Sequence, residues 1–427
     1  MHLTLTNFFG LLGGLLVLAF VANRFSHRTR VPDVMVLLGC GIVLGPVLHW
    51  IDAARFPQAI RGVGTLALIL ILFAAGMELD LKRSRREFLA GMVLAILSYG
   101  LTFAGVSLYC MHALGMHRMV AMVIAAALAC VSGSIMIPIL DQLNLRLGLK
   151  TTLVIEASFG DGLGALGVGV LLSLIGGVSS STSGGAIFGG MIRLFVWRFF
   201  LGFVIAVVAG FLWARLLPYV SNKQFWQALT FAAVLIVYSA TGAAGGSELF
   251  AVMVFGATLA SLLGPQSFLR DFGFEMLPSD QSTQMHSFHS ELAFLVRSFF
   301  FVLLGAMIAF KGLKAQVVPS LAILGVFVVA RLIAVQGSRV VWRHTSFREQ
   351  ELATILIPRG LITAVLALEA TEAMPKDLAF LPSLTFTLIL FTNVLVLIGS
   401  IRAKPLAIKS ENQQSEIEHG IGVGQHN

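Results

Sequence analysis

The chain has 427 residues, of which 57% are hydrophobic and only 12% charged, and its mean hydropathy is +0.90. That composition excludes an ordinary soluble domain. Lys and Arg number 29 against 21 Asp and Glu, a net charge of +8; in a membrane protein this excess marks cytoplasmic loops that meet anionic lipid, so a nucleic-acid partner is excluded.

A span needs about 20 apolar residues. Thirteen such stretches follow one another, at 8–22, 32–51, 63–79, 88–110, 119–141, 150–175, 190–217, 226–243, 247–264, 290–310, 316–337, 351–371 and 379–401. They predict an all-α polytopic membrane protein of thirteen transmembrane helices. No Lys or Arg precedes the first stretch, which therefore reads as a retained span rather than a secretory signal. Cys40, Cys110 and Cys130 each lie inside an apolar stretch, where a thiol behaves as a small hydrophobe, and no disulfide framework is supported. Arg198, among Phe195, Trp197, Phe199 and Phe200, is predicted to snorkel toward the interface. The polar run before the tenth stretch carries His286 and His289 near Asp280 and Glu291; no further Cys or His completes a metal set, so it reads as a solvated loop. Residues 403–427 form a polar tail without apolar periodicity, predicted to be disordered.

Sidedness follows from the basic residues. Arg24, Arg28, Arg30, Lys82-Arg83-Ser84-Arg85-Arg86, Arg339, Arg343, Arg348 and Arg402 all follow odd-numbered stretches, and the opposite loops hold far fewer. The positive-inside rule then puts the carboxyl terminus in the cytoplasm and the amino terminus outside, in a plasma membrane.

The chain also resembles itself. Gly39 to Gly45-Pro46 in the second stretch recurs as Gly256 to Gly264-Pro265 in the ninth. Leu72 to Met77 in the third is echoed by Phe301 to Met307 in the tenth, and Ile137-Pro138 in the fifth by Ile357-Pro358 in the twelfth. A shift of seven spans inverts the second copy across the bilayer, an organisation found in secondary transporters. The predicted units are a first repeat over 1–175, an outer loop and linker helix over 176–225, a second inverted repeat over 226–402, and the tail.

Helix breakers fall at corresponding places, Ser132-Gly133-Ser134 with Pro138 in the fifth stretch and Pro358-Arg359-Gly360 in the twelfth. Pro removes a donor and clashes with the preceding turn, and Gly loosens the backbone, so both helices are expected to be interrupted; Gly160 in the sixth is a further expected interruption. Carbonyls and amide dipoles freed in this way can face an ion.

Ionisable residues inside a span cost about 2.5–3.5 kcal/mol each on insertion scales and demand a reason. The sixth stretch holds Glu156 and Asp161, whose spacing points them about 140° apart around a helix and gives them different roles. Glu156 can face a neighbouring helix and neutralise an arginine, with Arg297 and Arg359 as the candidate partners. Asp161, flanked by Gly160, Gly162 and Gly164, has open backbone around it for water and a cation. One carboxylate can hold a proton or a small hard cation but not easily both, so binding becomes competition and transport is expected to fail at acid pH. No catalytic residue and no cofactor is implied; the only metal expected at Asp161 is a monovalent cation in transit.

These residues carry a resemblance that covers nearly the whole chain. From Val36 to Pro46, in Leu72 to Leu79 with Gly76-Met77-Glu78, from Glu156 to Asp161, from Arg297 through Gly305 and in Pro358-Arg359-Gly360-Leu361, the sequence resembles the monovalent cation:proton antiporter superfamily, nearest the sodium/proton exchanger type of archaea and bacteria. The resemblance implies a thirteen-helix, usually dimeric fold in which a core bundle with two crossed broken helices moves against a dimerisation domain. It implies that Asp161 carries proton and cation in turn, that Glu156 pairs with Arg359 or Arg297, that the cargo is Na+ or K+ with H+, and that the partners are membrane lipids and a second copy of the chain.

The chain departs from the family at two places. Where the interrupted fifth helix usually reads Thr-Asp-Pro it has Val131-Ser132-Gly133, and where the sixth usually reads Glu-Ser, two residues, then Asn-Asp it has Glu156-Ala157 and Gly160-Asp161. Ser132, Ser134 and Ser158 are the candidate cation ligands that could supply oxygens instead. A single acidic carrier favours one-for-one, electroneutral exchange.

The alternative on the same scaffold is an uncoupled cation conductance or a pH-sensing membrane protein, separated from an antiporter by coupled ion flux. An intramembrane aspartyl protease fits poorly: Ser158-Phe159-Gly160-Asp161 lacks the first glycine of the Gly-x-Gly-Asp signature, and away from the span ends no second Asp is found to share a proton.

Overall fold

The computed structural model describes residues 5–29, 31–50, 57–78, 85–143, 145–177, 184–220, 225–263, 279–307, 313–339 and 347–402. Where they are described, the apolar stretches are mostly helical, because a backbone shielded from water must close its own hydrogen bonds; the described residues contain no strand. In chain order the helices are α1 (Leu5–Thr29), α2 (Asp33–Ile42, continued by a π-helical turn at Val43–Val47), α3 (Pro57–Glu78), α4 (Arg85–His112), α5 (Arg118–Leu128), α6 (Gly133–Gln142), α7 (Leu147–Gly177) and α8 (Gly184–Val220). They continue as α9 (Trp226–Ala243), α10 (Glu248–Leu263), α11 (Ser279–Ala306), α12 (Leu313–Ser338), α13 (Phe347–Ile355), α14 (Leu361–Ala373), α15 (Pro375–Leu378) and α16 (Leu381–Arg402). Among the described residues eight of these, α3, α4, α7, α8, α9, α11, α12 and α16, are long and apolar enough to cross a membrane.

Two stretches hold broken helices. The chain unwinds over 129–132 between α5 and α6, and over 356–360 between α13 and α14. Two expected interruptions are corrected. Position 138 lies within α6, so Pro138 does not break it, and α7 runs unbroken through Gly160. A lone glycine costs a packed helix only about 1 kcal/mol relative to Ala; the breaks come where backbone groups bond across to another segment instead.

A larger apolar core joins α1, α2, α4 to α7, α11 to α14 and α16, and a smaller one joins α8, α9 and α10; α3 and α7 contribute to both. Two helix pairs touch backbone to backbone. A Cβ at Gly41 of α2 would fall onto the Val302 carbonyl and 2.8 Å from the Gly305 Cα of α11, and one at Gly305 would fall onto the Leu38 carbonyl. Gly76 of α3 meets the Met253 carbonyl of α10 in the same way, while Gly256 meets the Phe73 carbonyl. Only residues without a side chain allow such an approach.

The run containing His289 is helix rather than solvated loop. Its periodicity explains this: His289, Ala293, Val296 and Phe300 recur on one buried face of α11, and the His289 ring lies 4.9 Å from that of Phe73. Arg198 lies against α7: a Cβ at Gly169 would sit 3.0 Å from its Nη1. The tail 403–427, residues 178–183, Lys82-Arg83-Ser84 and the side chains of Ser134, Pro138, Arg85 and His286 lie outside what is described.

Candidate functional site

The two unwound segments cross. Ser132 N donates to the Pro358 carbonyl at 2.9 Å, and a Cβ at Gly360 would sit 2.5 Å from Ser132 Oγ. Arg359 Nη1 donates to the Cys130 carbonyl at 2.6 Å. The second segment is gripped from α16: Arg359 N donates to Thr392 Oγ1 at 3.1 Å, and Asn393 Nδ2 donates to the Arg359 carbonyl at 3.0 Å. Backbone groups freed by unwinding are thus satisfied by the opposite segment and by a neighbouring helix, the condition for non-helical backbone inside a membrane.

Asp161 faces the first segment. Its Oδ2 accepts the Gly133 N–H, the first of α6, at 3.2 Å, so the positive end of the α6 dipole points at the carboxylate. Its Oδ1 is buried and has no partner. One turn earlier on the same side of α7, Ser158 Oγ is also buried and unpartnered. Buried polar oxygens are rarely left unsatisfied, and two of them a helical turn apart form a set that an ion can complete. Ser132 is buried at the crossing. Ser134 belongs to the first turn of α6, with its side chain outside the described residues.

The predicted partners of Glu156 are corrected. Glu156 pairs with Arg331 of α12, not with Arg297 or Arg359: Arg331 Nη2 lies 2.8 Å from Oε2 and Nη1 bonds Oε1. Arg331 further donates to the Ala353 carbonyl at 2.8 Å and to Ser98 Oγ at 3.2 Å. Arg297 instead pairs at 2.6 Å with Asp33 at the start of α2, whose other oxygen accepts the Val34 N–H. Asp33 is therefore a second buried Asp within the stretches, but it is committed to Arg297. Arg359 lies over the Phe327 ring at 4.2 Å and, among the described residues, pairs with no carboxylate. Sequence reasoning missed Arg331, Asp33, Thr392 and Asn393; the available signal was a polar side chain in an apolar stretch, which lacks the register needed to name its contact.

Chemically, the arrangement offers one carboxylate with a spare oxygen, a nearby hydroxyl and a helix amino terminus, and no paired groups for bond cleavage. Interrupted helices crossing beside a lone buried carboxylate define a membrane ion carrier.

The chain belongs to the sodium/hydrogen exchanger family, whose transmembrane model matches residues 15–409. That family consists of secondary transporters, not enzymes. The chain is similar to Na(+)/H(+) antiporter 1 of Methanocaldococcus jannaschii, with 26% identity over 88% of this chain and 85% of the relative. It is also similar to the K(+)/H(+) antiporter NhaP of Alkalimonas amylolytica, with 24% identity over 84% of this chain and 59% of the relative. Among solved structures, the sodium proton antiporter MjNhaP1 from M. jannaschii at pH 8 superposes with a TM-score of 0.76 at 22% identity, covering 91% of this chain and 98% of that one, which establishes a shared fold.

Proposed function

We propose that the protein is a secondary antiporter that exchanges protons for a monovalent cation, Na+ or K+, by alternating access, with Asp161 as the shared carrier. The observation that carries this reading is the pair of unpartnered oxygens, Asp161 Oδ1 and Ser158 Oγ, beside the helix crossing. A dehydrated cation at these oxygens and a proton on the carboxylate exclude each other, which couples the two fluxes. Ser132 and Ser134 extend the oxygen set. One carboxylate exchanges one proton for one cation, so the cycle is electroneutral. The similar chains are named for Na+/H+ and for K+/H+ antiport, which supports the reaction class and leaves the ion to experiment.

The proposed architecture is thirteen spans, with inverted halves over 1–175 and 226–402 joined by 176–225. Two observations support it. Spans 2 and 10 meet at Gly41 and Gly305, and their counterparts, spans 9 and 3, meet at Gly256 and Gly76. Each break is also held by the last helix of its own half, the first at Gly133 by Asp161 of α7 and the second at Arg359 by Thr392 and Asn393 of α16. The basic loops set the amino terminus outside and the carboxyl terminus in the cytoplasm of a plasma membrane. The exposed apolar face of α8, with Trp197, Phe200 and Phe203, is assigned to lipid or to the second copy of a homodimer.

The test is cation-induced proton release from acid-loaded proteoliposomes with Na+, K+ or Li+, for the unmodified protein and for Asp161→Asn. Collapse of the gradient by one cation, abolished by the substitution, is the expected result. Folded, inserted protein that responds to no cation from mildly acid to mildly alkaline pH would overturn it in favour of an uncoupled conductance or a pH sensor.

A further inference from the structure

Among the described residues, buried charge is matched pair by pair except at the crossing. Among the described residues the buried Asp, Glu, Lys and Arg side chains are Asp33, Glu156, Asp161, Arg297, Arg331, Glu349 and Arg359. Asp33 meets Arg297, Glu156 meets Arg331, and Glu349 lies 3.8 Å from Arg146. Asp161 and Arg359 are left over, and they hold the same break from two sides, Asp161 at the Gly133 N–H that opens α6, at 3.2 Å, and Arg359 at the Cys130 carbonyl within the unwound segment, at 2.6 Å. Arg359 is 1% exposed, its Nε has no partner, and its other side-chain support among the described residues is the face of Phe327. A guanidinium cannot give up its charge inside a protein. Its one unspent counter-charge in the neighbourhood is therefore the carrier itself.

We propose that Arg359 is a specificity-determining residue, a fixed positive charge that lets the Asp161 site take up a single added charge and so excludes divalent cations. The inference rests on Asp161 being the carrier. When Asp161 is ionised and empty, it and Arg359 cancel. A proton or a monovalent cation raises the sum to +1, so both cargoes present the crossing with the same net charge. Ca2+ or Mg2+ raises it to +2 in a site with one carboxylate. Hard divalent cations otherwise favour carboxylate and hydroxyl oxygens such as those of Asp161 and Ser158. The repulsion from Arg359 scales with the charge of the ion, so its effect on a divalent ion is double in free energy and squared in affinity.

The experiment compares the unmodified protein with Arg359→Gln and Arg359→Lys, reading proton-coupled flux in proteoliposomes and, separately, the cation-induced rise in melting temperature in detergent. NaCl, KCl, CaCl2 and MgCl2 are used, with choline chloride as the ionic-strength control. In Arg359→Gln the KM for the transported ion is expected to fall about ten-fold and half-inhibition by Ca2+ to move down about a hundred-fold. Arg359→Lys, which keeps the charge, is expected to retain the discrimination. Should Arg359→Gln fail to insert, Ser132→Asp places a carboxylate at the crossing with Arg359 intact and is expected to admit Ca2+ in the same way.

An unchanged ratio of divalent to monovalent response in Arg359→Gln or Ser132→Asp, or Lys behaving as Gln, would overturn the inference while leaving antiport standing. Discrimination lost in the melting assay of Arg359→Gln, with no exchange in the unmodified protein, would overturn antiport and sustain the role of Arg359.

Discussion

Arg331 of α12 holds both carboxylate oxygens of Glu156 of α7, and each side chain of the pair is 1% exposed. The same guanidinium bonds the Ala353 carbonyl of α13 and Ser98 of α4. One buried cation thereby ties together four helices, including the half-helix that leads into the second unwound segment. Glu156 and Asp161 share α7 but differ in what they leave free, since the first is fully paired and the second keeps an open oxygen.

Glu156→Gln is expected to lower stability by about 3–5 kcal/mol, because Arg331 is left charged, buried and unmatched. The double replacement Glu156→Gln/Arg331→Met should lose less than the two single losses added together. Arg297→Gln should add independently to Glu156→Gln, since Arg297 belongs to Asp33. Melting of the purified variants reads all three; non-additivity between positions 156 and 297 would contradict the observed pairing.

Ser158→Ala is expected to move stability and transport in opposite directions. Deleting a buried hydroxyl with no partner removes a burden of about 1–3 kcal/mol, so the cation-free protein should melt higher. The KM for the transported cation should rise with the maximal rate nearly kept. A variant that melts lower and transports normally would place the hydroxyl outside the site.

Gly76→Ala is expected to destabilise by at least about 1–3 kcal/mol, since the added methyl meets the Met253 carbonyl, which cannot rotate away. Gly39→Ala, where nothing lies within 4 Å, should instead gain up to about 1 kcal/mol of helix propensity. Melting temperatures of the two variants, measured side by side, check the sign.

The proposed competition of proton and cation for Asp161 fixes the expected direction of the pH dependence. Protons displace the cation, so the apparent KM should rise as pH falls, by about ten-fold per pH unit where the protonated form dominates. KM measured across a pH series reads this directly; a flat profile would mean that proton and cation use separate groups.

The helical stretches could be read from hydropathy because lipid permits so few backbone solutions. The breaks near Ser132-Gly133 and Pro358-Gly360 were legible as clusters of Gly and Pro, yet Pro138 and Gly160 carry the same residue types inside intact helix. What separates them is the cross-bond from Ser132 to Pro358, a tertiary fact with no local signature. The partner of Glu156 was hidden for a related reason. Arg297, Arg331 and Arg359 all lie in apolar stretches, and choosing among them requires the rotation of α11 and α12 about their axes and the path of the unwound segment that carries Arg359. Asp33 sits at the mouth of a stretch, where a carboxylate usually meets water. His289 was masked by the polar residues around it, although its spacing to Ala293, Val296 and Phe300 already continued the buried face.

The glycine contacts also decide when the bundle can close. Gly41 and Gly76 leave the ribosome well before Gly305 and Gly256, and Glu156 emerges before Arg331 has been made. Until α10, α11 and α12 enter the membrane, the earlier helices present notched backbone and an unmatched carboxylate to their surroundings. Native packing is therefore a late, post-insertion event, and a nascent amino-terminal half waits for the rest of its own chain, or for the missing half supplied in the same bilayer, before it can assemble.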